Sequence, residues 1–334
     1  MTDTAQTRTA MTPVGSRIRA YFACVDRNAE KAEVFDPAKH GVFPLDQVPA
    51  PWIDLGWVEN FQRTSTSGIE TIFAGNQGRA VAQFRTRVGA AVELDFCDWG
   101  KLQMALSSGT QHMNVLAAET DAVAEPWGGR PIPAVAVLPG STAQEIILGT
   151  GAVAAFNPTD MVAVDVDYQQ QVGYVGTGIA GAYVNNPDDV SRDVNYVRRV
   201  TFNVGRVKEV TATSLILWQP MPGGAPGPLS GAQKVMAFLD REGGNFFQEW
   251  SALFVAGQES GGRICYYYPR LRPSGNTAKA NSTSSRESTK VFAEPFSKIA
   301  LYASFDAFPG TDLLDSEPVV CYRSYFPAGC APVY

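Results

Sequence analysis

From Arg79 to Phe96 apolar and polar residues alternate. Ala80, Ala82, Phe84, Thr86, Val88, Ala90, Val92, Leu94 and Phe96 fall on one side. Arg79, Gln83, Arg85, Arg87, Glu93 and Asp95 dominate the other, with Val81, Gly89 and Ala91 among them. A period of two with one apolar face predicts a half-buried strand. It is long, since strands typically run about 5–6 residues. The period then changes. Asp98 is placed to accept the free N–H groups of a first helical turn. Trp99, Leu102 and Leu106 follow at helical spacing, and Gly109 can end the helix in the left-handed conformation. A long charged strand feeding a short helix calls for a partner surface larger than itself, which suits an assembly subunit better than an enzyme.

The same reading applied along the chain predicts mostly strands. Residues 1–15 are polar and Thr-rich, and read as a flexible N-terminal arm. Arg17 to Val25, Trp57 to Arg63 and Ile69 to Ala74 alternate as strands. Between them, Asn28 to Pro51 is a long connection without clear periodicity, a kind that is usually functional or bound to a partner. Val115 to Pro139 is rich in Ala, Pro and Gly and marks a boundary. A second β-rich set follows: Glu145–Leu148, Met161–Tyr168, Gly173–Tyr183, Tyr196–Val210 and Ser214–Trp218. Lys234 to Asp240 predicts another strand. Asn245 then reads as a helix cap with Gln248 three residues on, ahead of an apolar stripe of Phe246, Phe247, Trp250, Leu253 and Phe254 that Gly257 ends. This strand-then-helix order echoes the opening stretch. Arg263–Tyr268, Ile299–Phe305 and Val319–Phe326 are the last predicted strands, and Pro273–Thr289 is a low-complexity Ser/Thr/Asn/Lys segment.

Composition narrows the function. At 334 residues the chain can bury a large core, and two domains are possible on length alone. The formal charge of −6 argues against a phosphate-binding surface, although not against one that DNA slides past. No apolar run approaches the roughly 20 residues that span a bilayer. The N-terminal residues carry no apolar signal core, so a soluble protein made in the cytoplasm, without a membrane partner, is expected. Cys24, Cys97, Cys265, Cys321 and Cys330 are odd in number and contain no C-x-x-C pair, so buried free thiols are expected rather than disulfides or a zinc site. Asn281-Ser282-Thr283 matches a glycosylation sequon by chance.

The candidate chemistry is sparse. Gly176-Thr177-Gly178-Ile179-Ala180-Gly181 fits G-x-G-x-x-G, but Asn185-Asn186-Pro187 interrupts the helix that a dinucleotide would need, so glycines in a turn or bulge are the better reading. His40 and His112 are the only histidines, and neither lies in a nucleophile motif. Asp165 with Asp167, and Asp95 with Asp98, could pair as glycosidase carboxylates, yet on strand faces they read as solvated charges. Asp188-Asp189 suits a turn. No catalytic residue, cofactor or metal is expected.

One resemblance organises these pieces. Leu55-Gly56-Trp57-Val58-Glu59-Asn60-Phe61, Ile69-Glu70 with Gly75 and Gly78, the long strand from Arg79, Asp98-Trp99 and Leu102-Gln103-Met104-Ala105-Leu106-Ser107-Ser108-Gly109 resemble the major tail tube proteins of long-tailed bacteriophages. Tyr268-Pro269-Arg270 and the closing β segments are similar to larger members. The resemblance covers residues 16–115 best. It implies a mainly β protein: a β-sandwich or split-barrel tube-type domain with short flanking helices at 16–138, and a second β-rich domain at 139–334. The latter would be either an inserted β module at about 140–218 or a tandem tube-like domain. The function it implies is a virion protein that forms stacked rings, hexameric or pseudo-hexameric trimers. Its partners would be itself, other tail proteins, and DNA passing through the channel without specific binding. Gln83, Arg85, Arg87, Glu93 and Asp95 are the channel-face candidates, although the arginines suit pairing with a neighbour's acids better. Asp36, Phe43, Trp52, Lys279 and Arg286 are the ring-stacking loop candidates. The alternatives are another β-rich virion component, such as a decoration or tail-tip protein, and a carbohydrate-binding β-sandwich protein.

Overall fold

The structure, a computed structural model, describes residues 17–25, 32–41, 43–49, 51–74, 78–109, 111–117, 123, 126, 130–132, 135–165, 182–184, 192, 201–227, 229–241, 249–257, 262–274, 280–282, 299–312 and 315–327. Its strands, in chain order, are β1 (Ile18–Cys24), β2 (Ile53–Ala74), β3 (Arg79–Phe96), β4 (Gln111–Leu116), β5 (Arg130–Ile132), β6 (Val135–Ala136), β7 (Glu145–Ile147), β8 (Met161–Asp165), β9 (Ala182–Val184) and β10 (Val204–Val210). They continue as β11 (Ser214–Leu217), β12 (Gly231–Arg241), β13 (Trp250–Gly257), β14 (Arg263–Pro273), β15 (Ala280–Ser282), β16 (Ile299–Phe308), β17 (Gly310–Thr311), β18 (Pro318–Val319) and β19 (Tyr322–Phe326). Helix α1 is Pro37–His40, α2 is Lys101–Ser108, and Ala152–Ala155 forms a 3₁₀ turn.

Strands β1, β2, β3, β16, β14 and β13 pair in a closed circuit, each antiparallel to the next. Closure relies on sharing: the free edge of β14 takes β19 along Arg263–Tyr267 and β16 along Arg270–Pro273. A closed barrel leaves no internal sheet edge. The interior is filled from alternate positions, Ala20 and Phe22 of β1, Val92, Leu94 and Phe96 of β3, Trp250, Ala252 and Phe254 of β13, and Ala303 and Phe305 of β16, and from Tyr268 and Leu271 of β14 on either side of a register shift. The clean alternation at residues 90–96 is therefore the part of the long strand that forms the barrel wall.

Helix α2 adds Leu102, Ala105 and Leu106 to the same core, and Gly109 closes it at φ 59°, as the pattern predicted. Its start differs from expectation. The N-cap is Gly100, with no side-chain cap, and Asp98 and Trp99 are exposed ahead of the helix. Asp98 is instead held close to Gly56, where a Cβ would meet its carboxylate oxygen at 2.0 Å; with φ 81°, only glycine suits position 56.

The expected second helix is corrected. Residues 250–257 are strand β13, while Asn245–Gln248 lie outside the described residues. From Ala252 to Ala256 the run is apolar without a break because both faces of β13 are covered. Trp250, Ala252 and Phe254 face the interior, whereas Leu253 and Val255 meet an outer layer of Phe35, Phe43 and Trp52. A doubly covered strand has no alternation and imitates a helix stripe. The echo that suggested tandem repeats thus loses its second helix. The two segments Trp57–Arg63 and Ile69–Ala74, expected as separate strands, are one strand, β2.

A second antiparallel sheet has the order β4-β12-β8-β10-β11-β7, with β6 also on β12. Ile146, Val162, Val164, Val207, Leu215 and Leu217 are among its buried residues. Pairing runs across residue 138: β1 joins β13, and β4 joins β12. The sheet is fastened to the barrel at Lys101, whose ammonium donates to Asn114 Oδ1 and to the Thr201 carbonyl and lies 5.6 Å from the Phe202 ring centroid. Phe202 itself packs on Trp250 in the barrel core, centroids 6.0 Å apart.

Candidate assembly surface

Beyond the barrel wall, β2 and β3 continue with no other partner among the described residues. β1 reaches β2 only as far as Val58, and β16 reaches β3 only as far as Ala90. From Gln62↔Glu93 out to Ala74↔Arg79 the two strands pair with each other. Most of this length is a two-stranded ribbon, roughly 30–40 Å long at about 3.3 Å per residue. Among the described residues neither of its outer edges is paired with a further strand. An isolated two-stranded ribbon is at best marginally stable in water, so it gains order when a further strand or surface covers it.

The ribbon's side chains point the same way. Ile69, Phe73, Val81 and Phe84 are 60%, 63%, 65% and 54% exposed, and Ile72 is also exposed. Single exposed apolar residues need no explanation, but here they recur along one projecting element and on both of its faces, Ile69 opposite Arg85 and Phe84 opposite Glu70, which marks it as an interaction surface. Register shifts lie between Gly68 and Ile69 and between Ile72 and Phe73, which place an extra residue, Thr86 and Val81 respectively, in β3. Such bulges increase twist and break the alternation of faces. A third shift, between Glu59 and Gln62, sits where the ribbon leaves the barrel; there Asn60 takes φ 52° and its Nδ2 donates to Asp95 Oδ2 at 2.6 Å.

At the root of the ribbon, where β16 ends and β3 continues alone, lies an open notch of about 440 Å³. Gly89, Ala90, Ala91 and Ala307 line it with small residues, beside Phe308 and Pro309 and the hydroxyl-bearing Thr64 and Thr66. Asp306 stands at its rim, exposed.

The channel-face candidates divide between these two regions. Gln83 and Arg85 are exposed on the ribbon, with Gln83 Nε2 donating across the strands to Thr71 Oγ1 at 3.4 Å. Arg87 has its backbone in the ribbon, opposite Gly68. Glu93 and Asp95 lie on the barrel wall: Tyr302 bonds to Glu93, and Asp95 holds Asn60. They do not form one continuous face.

The loop candidates fare differently. Phe43 and Trp52 are buried on the outer face of the barrel, against Tyr21, Val255 and Tyr267, so their side chains are not available to a neighbouring ring. Aromatic residues in a connection between strands found cover over an apolar sheet face within the chain. Asp36 is exposed but already engaged, since its Oδ1 caps α1 by accepting from Ala38 N at 2.9 Å. Lys279 and Arg286 lie outside the described residues, as do Gly176–Gly181 and Asp188-Asp189.

The ionisable groups that are perturbed read as structural. Burial pushes Glu249 up, but hydrogen bonds from Arg270, at 2.7 and 2.9 Å, and from Arg272 outweigh it and hold the carboxyl below its ordinary value. Burial pushes the Cys265 thiol up to about 12. Arg63 Nε donates to the buried Tyr268 hydroxyl at 3.0 Å. His40 ends α1, its Nδ1 accepting from Asp36 N at 3.3 Å. Among the described residues no group of three or more His, Cys, Asp or Glu could hold a metal ion, and no helix is long and apolar enough to cross a membrane.

Neither protein-family models nor curated proteins match this sequence.

Sequence reasoning located the strand that carries the surface but not the ribbon. Phe84 and Ile69 look like core residues in a strand pattern, while Val81 falls among the polar face. The available signal was length: a strand of 18 residues paired with one of 22 outruns any ordinary barrel wall.

Proposed function

We propose that this chain is a structural subunit, without catalytic function, that assembles with copies of itself into stacked rings forming the tail tube of a long-tailed bacteriophage. The observation that carries the proposal is the β2–β3 ribbon, with two open edges and exposed Ile69, Phe73, Val81 and Phe84. Its surface is completed when copies associate. The small barrel with a packed helix supports the resemblance drawn from the sequence, and the strand-rich surface offers edges on which neighbours can pair. In this reading DNA passes through the channel without specific contacts, in keeping with the chain's charge of −6.

One closed barrel is formed among the described residues, while the second sheet runs as an open path from β4 to β7. One tube-type barrel per chain favours rings of six copies over rings of three. The second sheet then acts as an accessory to the barrel, fastened by Lys101. Negative-stain electron microscopy of the purified protein across a concentration series tests the proposal. Hollow tubes or stacked six-fold rings are expected. Compact, discrete oligomers that never stack would favour another virion component.

A further inference from the structure

Resting on the self-assembly reading, we propose that the tip of one copy's ribbon docks into the notch at the root of another copy's ribbon, a head-to-tail contact that repeats along a stack. The two surfaces are complementary in shape and chemistry. Near the tip, Ile72, Phe73 and Val81 are exposed apolar side chains. The notch is a recess of about 440 Å³ lined by small residues, Gly89, Ala90, Ala91 and Ala307, together with Phe308, Pro309 and two threonines, and is large enough to take an aromatic side chain. They lie at opposite ends of the same element, roughly 30–40 Å apart at about 3.3 Å per residue. Within one chain, a two-stranded ribbon of that length cannot bring its own tip back to its own root. A knob and a hole on different parts of one molecule, unable to meet within it, permit a head-to-tail contact, which runs on as an open series where its rotation does not close.

The backbone supports the same geometry. Among the described residues β3 loses its second neighbour at Ala90, so no strand pairs with that edge from the notch outwards along Gly89 and Val88. An incoming strand can add to that edge while its apolar side chain fills the recess, the usual division between backbone affinity and side-chain specificity in strand addition.

Charge selects the occupant. The ribbon between Thr64 and Gly89 carries Arg79, Arg85 and Arg87 against the single acid Glu70. The whole chain is −6, so the remainder is more acidic still, and Asp306 stands at the notch rim. A basic ribbon and an acidic body within one sequence attract between copies. A nucleic acid would also attract the arginines, but it cannot extend a β-edge.

The test uses the full-length chain and three variants: Phe73→Asp, Phe73→Cys and Val88→Cys. Wild-type and Phe73→Asp proteins are compared by sedimentation velocity and negative-stain microscopy, with circular dichroism confirming equal folding. The two cysteine variants are oxidised separately and mixed, with wild-type protein as the blank for native thiols. The expected result is that Phe73→Asp raises the concentration needed for stacking about tenfold or more, leaving single rings or monomers, as loss of one buried aromatic anchor implies. The mixed cysteine variants give a disulfide-linked pair that neither variant gives alone. Stacking of Phe73→Asp equal to wild type overturns the docking while leaving the tube reading standing. A homodimer of Phe73→Cys alone overturns it in favour of tip-to-tip contact. Mixed cross-links without rings or tubes at any concentration support the docking and overturn the tube reading. Absence of both association and cross-links overturns both. Duplex DNA that binds the ribbon through Arg85, lost in Arg85→Glu, and blocks cross-linking assigns the surface to nucleic acid and overturns the inference.

Discussion

Ala90 of β3 is paired with Ala307 of β16, and it is the last residue of β3, counting back towards Arg79, to have a neighbour on that side. Up to this pair the strand is barrel wall, with Val92, Leu94 and Phe96 buried inside; past it, Phe84 and Val81 are exposed. One strand thus serves two purposes, and the boundary between them is a single pair of alanines.

If the ribbon is separate from the folded core, it can be removed without unfolding the protein. Ser65 is paired with Ala90, so replacing residues 66–89 by Asn-Gly joins directly opposed positions through a two-residue hairpin turn. The shortened chain is expected to melt within a few degrees of wild type, a change of about 1 kcal/mol or less for a segment with few buried contacts. Thermal unfolding followed by circular dichroism checks this. A loss of cooperative unfolding would place the ribbon inside the folding unit.

Trp250, Ala252 and Phe254 alternate into the barrel core as a strand, and this can be separated from the helical reading of the same run. Phe254→Ala is expected to destabilise by about 3–5 kcal/mol, the usual cost of removing a buried aromatic. Leu253, on the other face, packs under the Phe35, Phe43 and Trp52 layer. Leu253→Ala is expected to cost about 2–5 kcal/mol. Denaturant titration measures both. Comparable, additive losses fit a strand covered on two sides, whereas a near-neutral Leu253→Ala would mean that the outer layer does not cover it.

Glu249 gives a pH signature. Its carboxyl is held below its ordinary value of 4.5 by Arg270 and Arg272 despite burial. A depressed folded-state value means that the stabilisation is complete above the ordinary value and is lost as pH falls through the folded one. Glu249→Gln is expected to cost about 2 kcal/mol at neutral pH, in the range for hydrogen bonds to charged groups with partly exposed arginines. The gap between variant and wild type should stay constant from about pH 6 to 8 and narrow below about pH 4, as the native carboxylate takes up its proton. Melting temperatures across that range report it; a gap that widens on acidification would contradict the assignment.

Cys265 is buried on the outer barrel face, its thiol pushed up to about 12. Because the thiolate is the reactive form, an aromatic disulfide reagent at about pH 8 should leave Cys265 unmodified in the native state and react with it on unfolding. Mass spectrometry of the labelled peptides distinguishes it from the half-buried Cys97.

The parts of this fold that sequence shows are those with one covered face. Residues 90–96 alternate because one side meets the core and the other does not, and Leu102, Leu106 and Gly109 keep helical spacing and a left-handed end for the same local reasons. The parts it hides depend on distant chain. Residues 250–257 lose alternation because a segment about 200 positions earlier covers their outer face. Phe43 and Trp52 read as loop residues for a partner because the sheet they cover comes from other parts of the chain. Phe84 and Phe73 read as core because hydrophobicity alone does not say where a strand outruns its neighbours. On the surface itself, Arg85 and Gln83 were legible as exposed positions, whereas the notch was not, since it joins Gly89–Ala91 to Ala307–Pro309.

Sedimentation velocity of the wild-type chain beside the chain shortened at Ser65–Ala90, each across a concentration series, tests most directly whether the ribbon ties copies together. The account predicts fast-sedimenting polymers that grow with concentration for the wild type, and their loss in the shortened chain at unchanged thermal stability. Identical distributions for the two proteins would contradict it.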